Sequence, residues 1–155
     1  MNRTAFVRWT AILTVIVLIL AILAPASAPQ PVLAIERTQL RRALLATVRL
    51  AVAVDAQRDA YSTGSGTVLT ADGYILTNFH VMGDPDTGKL YNRNGIAMVG
   101  VNPADLKSLP TWLYQAKLVK GDPALDLAVL KISATFKGGA LPTNLGLTPI
   151  AIGDS

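Results

Sequence analysis

Cysteine is absent from the 155 residues, which excludes a disulfide framework, a thiolate nucleophile and a thiolate metal site. Histidine occurs once, at position 80, so a histidine-rich metal centre is excluded as well. Aromatic residues make up only 6%, and a core therefore has to be assembled mainly from Val, Leu, Ile and Ala. A β-rich domain tolerates such a core, because β-branched side chains pack well on a pleated surface. Also missing is any stretch where aromatic and basic residues alternate. The formal net charge of +4 invites a nucleic-acid partner, but Arg3 and Arg8 lie in the first 34 residues and the remainder carries 12 basic against 10 acidic residues. Apart from Arg41-Arg42 the basic residues are scattered, and no nucleic-acid partner is expected.

What is present begins with a targeting segment over residues 1–34. Arg3 and Arg8 form a positive n-region and Ala11–Ala24 an apolar h-region. Ala26-Ser27-Ala28 has the small-x-small pattern of a cleavage site, with Pro29 awkwardly placed after it. Val32-Leu33-Ala34 offers a second site and a mature start at Ile35. The alternative is an uncleaved anchor that contacts the membrane through residues 9–24. That run is 16 residues, short of the roughly 18–20 a spanning helix wants. In either case the positive-inside bias places the rest outside the cytoplasm.

Beyond the Pro-rich joint at Pro25, Pro29 and Pro31, residues 35–46 carry helical spacing, with Leu40, Leu44 and Leu45 on one side. The period then changes to two, as Val48, Leu50, Val52 and Val54 alternate with Arg49, Ala51 and Ala53. Turn residues fill 55–66. Thr67–Thr70 and Tyr74–Thr77 flank Ala71-Asp72-Gly73, a hairpin signature in which Asp-Gly supplies the positive-φ positions. Asp84–Asn94 reads as a loop, Gly95–Val101 as a strand, Asn102–Pro110 as a connection, and Trp112–Val119 as a strand. Gly121-Asp122-Pro123 turns into a final strand over Asp126–Ile132. Six short strands between residues 47 and 132 predict an all-β domain, a small closed antiparallel barrel. From Ser133 the chain is Gly-, Pro- and Thr-rich, and 133–155 is expected to be a linker.

Three segments stand out: Gly64-Ser-Gly-Thr-Val-Leu-Thr-Ala-Asp-Gly-Tyr-Ile-Leu-Thr-Asn-Phe-His-Val81, Ala116-Lys-Leu-Val-Lys-Gly-Asp-Pro-Ala-Leu-Asp-Leu-Ala-Val-Leu-Lys-Ile132 and, more weakly, Pro149-Ile-Ala-Ile-Gly-Asp-Ser155. Together they resemble bacterial trypsin-like serine proteases of the HtrA/Deg type. The resemblance implies the first six-stranded barrel of a two-barrel fold, with the active site in the cleft between barrels. It maps the general base onto His80 and the carboxylate that orients it onto Asp126. The chemistry is apt: imidazole titrates near neutrality, and a buried carboxylate on Nδ1 would fix its tautomer. Spacing alone leaves a plainer alternative, in which His80 caps a turn and Asp126 pairs with a nearby lysine.

The nucleophile of such enzymes sits in Gly-Asn/Asp-Ser-Gly-Gly, which this sequence lacks. Ser27 falls in the targeting segment, Ser62 and Ser65 before the hairpin, Ser108 in a connection and Ser133 at the end of the last strand. Gly153-Asp154-Ser155 spells the first letters of the motif, yet only 28 residues separate Asp126 from Ser155, too few for most of a second barrel. The expectation is an exported serine endopeptidase acting on polypeptides, truncated before its nucleophile and inactive by itself. The alternatives are a non-catalytic extracytoplasmic binding or assembly module and a membrane-anchored structural protein. No cofactor and no metal are expected: Asp84, Asp86 and Asp105 do not have the spacing of an EF-hand loop.

Overall fold

A computed structural model describes residues 36–55, 60–151 and 153. The apolar run over residues 9–24 and Ser155 lie outside the described residues. Among those described, no helix is long and apolar enough to cross a membrane.

The chain enters through helix α1 (Arg37–Ala46) and forms strands β1 (Thr47–Asp55), β2 (Ala60–Val68) and β3 (Tyr74–Thr77). A four-residue helix α2 (Phe79–Met82) precedes β4 (Gly83–Asp84) and β5 (Lys89–Leu90). Strands β6 (Ile96–Val101), β7 (Thr111–Asp122) and β8 (Leu127–Thr135) follow. Six of the strands close into an antiparallel barrel in the order β1-β2-β3-β8-β7-β6, sealed where Val48 of β1 pairs with Val101 of β6. Closure removes the open edges that an isolated sheet would present.

The alternation in β1 holds from Val48 to Val52 only: Val54 is exposed, where the register with β2 shifts between Ala53 and Asp55, and Ala51 is buried although it was expected to face outward. Val48, Leu50 and Val52 are essentially fully buried and face Val68, Ile75, Val99, Leu130 and Ile132 across the interior. Ala97, Ala116 and Ala128 are buried beside them, the small side chains a narrow barrel needs where large ones already meet. The one aromatic ring in this cluster is Tyr114, whose hydroxyl donates to the Leu145 carbonyl at 2.8 Å. Leu145 itself is buried. The Gly- and Pro-rich stretch after β8 therefore packs on the barrel, held further by Ile150 N–H donating to the Val68 carbonyl at 2.9 Å.

Three local expectations are corrected. Residues from Ala60 onward do not form a turn but the greater part of β2, paired with β1 from Thr47↔Thr67 to Asp55↔Ala60. The glycines at 64 and 66 have weak intrinsic strand preference, and the partner strand supplies what propensity does not. The span Asp84–Asn94 is not wholly loop: β4 and β5 form a two-stranded ladder around a turn, in which Asp84 accepts from Asp86 N–H (2.9 Å) and Thr87 Oγ1 (2.8 Å). Finally, Leu40 and Leu44 of α1 remain exposed, and the residue the helix buries is Ala46.

The Asp-Gly hairpin forms where it was expected. Gly73 has φ of 96°, and its N–H donates to the Thr70 carbonyl at 3.0 Å, closing the turn between β2 and β3. That hairpin and the start of β8 deliver the two residues of interest to one place.

Candidate active site

His80 is the second residue of α2, immediately beyond β3, and Asp126 ends the turn that leads into β8. Strands β3 and β8 are direct neighbours, with Thr77 paired to Ala128. Residues 46 apart in sequence are thereby set side by side. His80 Nδ1 stands 2.8 Å from Asp126 Oδ2, and His80 N–H donates to Asp126 Oδ1, also at 2.8 Å.

An ionised carboxylate can only accept, so the hydrogen in the ring contact belongs to Nδ1 and the lone pair is left on Nε2. Asp126 is held below the ordinary carboxylate value of 3.8. The backbone N–H of His80 contributes most, followed by the His80 ring, with partial burial opposing and Asn78 adding a smaller effect. The Asn78 carboxamide donates to both the carbonyl oxygen of Asp126 (3.1 Å) and Oδ2 (3.2 Å). At the end of β3, Thr77 is a buried polar residue of the barrel, and its Oγ1 donates to the Ser65 carbonyl at 2.8 Å.

The alternative pairing of Asp126 with a lysine does not occur. Lys131, on the strand that follows Asp126, is engaged by Asp72, and its ammonium lies 4.1 Å from the centroid of the Tyr74 ring. The expectation of a buried carboxylate is also corrected: the side chains of His80 and Asp126 are 55% and 39% exposed. Both sit at the rim of the barrel, on a turn and a short helix, where the barrel's own strands do not cover them. An open groove of about 360 Å³ is lined in part by Ser65, Thr77, Asn78 and Leu127, and neither His80 nor Asp126 lines it.

No serine among the described residues joins this arrangement. Ser62 and Ser65 lie on β2, Ser108 in the connection between β6 and β7, and Ser133 on β8, where its hydroxyl donates to the Gln115 carbonyl. The partner of the His80 ring is Asp126. The described residues also contain no cluster of three His, Cys, Asp or Glu side chains fit to hold a metal ion. Asp105, considered above for calcium, accepts from the Lys107 N–H at 3.1 Å. Asn78 was not singled out in the sequence, although it stands two residues before His80 in the first motif. Only the approach of β8 shows what its amide contacts.

The depressed pKa of Asp126 gives a pH dependence of definite sign. A carboxyl group whose folded value lies below its unfolded one stabilises the fold above that unfolded value, and this contribution disappears as pH falls through the folded value. Thermal midpoints are thus expected to fall as the pH drops below about 4. Asp72, paired with Lys131, and Asp84, bonded to Thr87, act in the same direction. Because these groups are exposed, solvent screening keeps each effect small. Calorimetry of Asp126→Asn across that range should show a flatter acid limb than the parent; an identical limb would mean the carboxylate is not held as described.

A closed six-stranded barrel with a His–Asp pair at its rim, carried on these motifs, is the architecture of a trypsin-like half-domain. The trypsin-like peptidase domain family matches residues 64–155, and the chain belongs to that family. A probable periplasmic serine endoprotease, DegP-like, from Pseudomonas putida is 39% identical over 101 residues, covering 65% of this chain and 16% of that protein. The serine endoprotease DegS of Salmonella typhimurium is 35% identical over 98 residues, covering 63% of this chain and 23% of DegS. Among solved structures, the serine endoprotease from Yersinia pestis covers 74% of this chain and 32% of its own, at 30% identity and a TM-score of 0.49. The chain therefore spans less than a quarter of the length of these two curated relatives.

Proposed function

We propose that this barrel supplies the general base and its orienting carboxylate to an exported trypsin-like serine endopeptidase. The observation that carries the proposal is the 2.8 Å contact between His80 Nδ1 and Asp126 Oδ2, which leaves Nε2 free to accept a proton. In that role Nε2 of His80 takes the proton of an attacking serine hydroxyl, while the hydroxyl oxygen bonds to the scissile carbonyl carbon. The imidazolium then returns the proton to the departing amine, and Asp126 stabilises the positive ring in between. Export is supported by the basic and apolar character of residues 1–34 and by the periplasmic designation of the Pseudomonas relative.

The nucleophile in this scheme is not one of the six serines of the 155-residue sequence. By the family resemblance, the donors that would stabilise a tetrahedral oxyanion and the pocket that would select a side chain belong to a second barrel as well. The 155-residue chain alone is accordingly expected to hydrolyse no peptide and to resist labelling by a fluorophosphonate. Mixed with a separately expressed trypsin-like second barrel carrying a serine, it should gain labelling, and His80→Ala should abolish that gain. Labelling of the chain alone would overturn the assignment of the nucleophile elsewhere. The exposure of the pair favours one competing role, a non-catalytic extracytoplasmic module. Under that role no second barrel restores labelling.

A further inference from the structure

We propose that Asn78 is a positioning residue for the His80–Asp126 pair, its carboxamide clamping Asp126 so that one carboxylate serves both the ring and the backbone of His80. The inference rests on the roles proposed above for those two residues and adds a third to them.

Asp126 has φ of 51°, in the left-handed region that L-residues seldom occupy. Aspartate tolerates it better than most, but the conformation still needs support. Asn78 provides that support from a different element. A carboxamide nitrogen has two hydrogens to donate, and here Asn78 Nδ2 lies 3.1 Å from the Asp126 main-chain carbonyl oxygen and 3.2 Å from Oδ2. The main-chain contact fixes the peptide and the side-chain contact fixes the carboxylate.

The position of Asn78 makes this use of it unexpected. It is the N-cap of α2, where an asparagine ordinarily turns its side-chain oxygen onto the first free N–H groups of its own helix. It makes no such bond. The N–H of His80, second in that helix, is taken instead by Asp126 Oδ1 at 2.8 Å. Asn78 and Asp126 have exchanged tasks: the carboxylate caps the helix from the turn before the neighbouring strand, and the native cap residue holds the carboxylate. Donor chemistry explains the exchange. Asp126, ionised, can only accept, and Oδ2 already receives the ring N–H, so a second donor at Oδ2 keeps the carboxylate from rotating toward solvent. Without it, the exposed Asp126 turn is free to relax out of the left-handed region. The carboxylate can then keep the backbone N–H or the ring, but not both.

The test is nitrogen-15 NMR of His80 in the 155-residue chain with its imidazole neutral, read as the ratio of the Nδ1–H to the Nε2–H tautomer. In the parent chain Nδ1–H should dominate. Asn78→Ala should lower that ratio roughly tenfold, the scale of one hydrogen bond to a charged group. Asn78→Asp keeps the shape and can cap α2 itself, so it guards against a misfolded alanine variant. It lacks the two donors and sets like charge against Asp126, and the same fall is expected. If both variants fold and leave the ratio unchanged while Asp126→Asn collapses it, the pair stands and the role of Asn78 is wrong. A lowered thermal midpoint with an unchanged ratio would likewise reduce Asn78 to a structural brace and overturn the proposal. If Asp126→Asn also leaves the ratio unchanged, the roles given to His80 and Asp126 fail with it.

Discussion

Asp126→Asn, in any chain that joins this barrel to a serine nucleophile, is expected to lower kcat for peptide hydrolysis by about 10⁴ while leaving the thermal midpoint nearly unchanged. The size follows from what the substitution does to one proton. With a carboxylate at 2.8 Å, Nδ1 must carry the hydrogen, and Nε2 presents a lone pair. A carboxamide can offer its NH₂ group to Nδ1, which reverses the ring: Nδ1 then accepts, Nε2 carries the hydrogen, and it cannot take one from a hydroxyl. The charge that would stabilise the imidazolium is lost at the same time. The fold is expected to survive, because the carboxamide oxygen can still accept the His80 backbone N–H. Steady-state kinetics alongside calorimetry separates the two effects. A loss below tenfold would mean that Asp126 does not orient the base.

Gly66→Val should destabilise the barrel by about 3 kcal/mol or more, read as a fall in the urea midpoint at unchanged slope. A Cβ at this position would lie 2.6 Å from Ile75 Cγ2, 3.1 Å from Leu50 Cδ1 and 3.1 Å from the Leu76 carbonyl oxygen. Ile75 and Leu50 are completely buried, so neither can swing aside into solvent. Ser65→Val, one residue earlier on the outward face of β2, should change stability by no more than about 0.5 kcal/mol. The contrast tests the register of β2 against β1. A slip of one residue would turn Ser65 inward and Gly66 outward and invert the two results.

Gly66 also shows where sequence reading stops. The run Ala60–Gly66 has the composition of a turn, and by propensity alone that is what it should be. It is a strand because β1 pairs along its whole length and because the interior there has no room for side chains. Glycine in this place is a packing requirement imposed by Ile75 and Leu50, residues of two other strands, and Val81 of α2 imposes the same at Gly64. No local window contains that information. Asp84–Lys89 differs, because the bonds that Asp84 accepts from Asp86 and Thr87 are local, although composition marks the stretch only as loop.

The chain's own order of residues did determine much. The period-two pattern over Val48–Val52, the Asp-Gly hairpin and the apolar run after Asp126 specify strands and their faces, since a side-chain period of two leaves one buried set, whereas Val54 at the end of β1 turns outward. The motifs around His80 and Asp126 placed the chain in its family and singled out both residues. The tertiary structure alone decided that these two meet, because a contact across 46 residues depends on β3 and β8 being neighbours in a closed barrel. It also decided that the pair lies exposed at the rim, and that Asn78 faces Asp126 and leaves the capping of its own helix to the Asp126 carboxylate. Period and propensity act over a few residues, whereas the approach of two turns is fixed by the twist and closure of six strands at once.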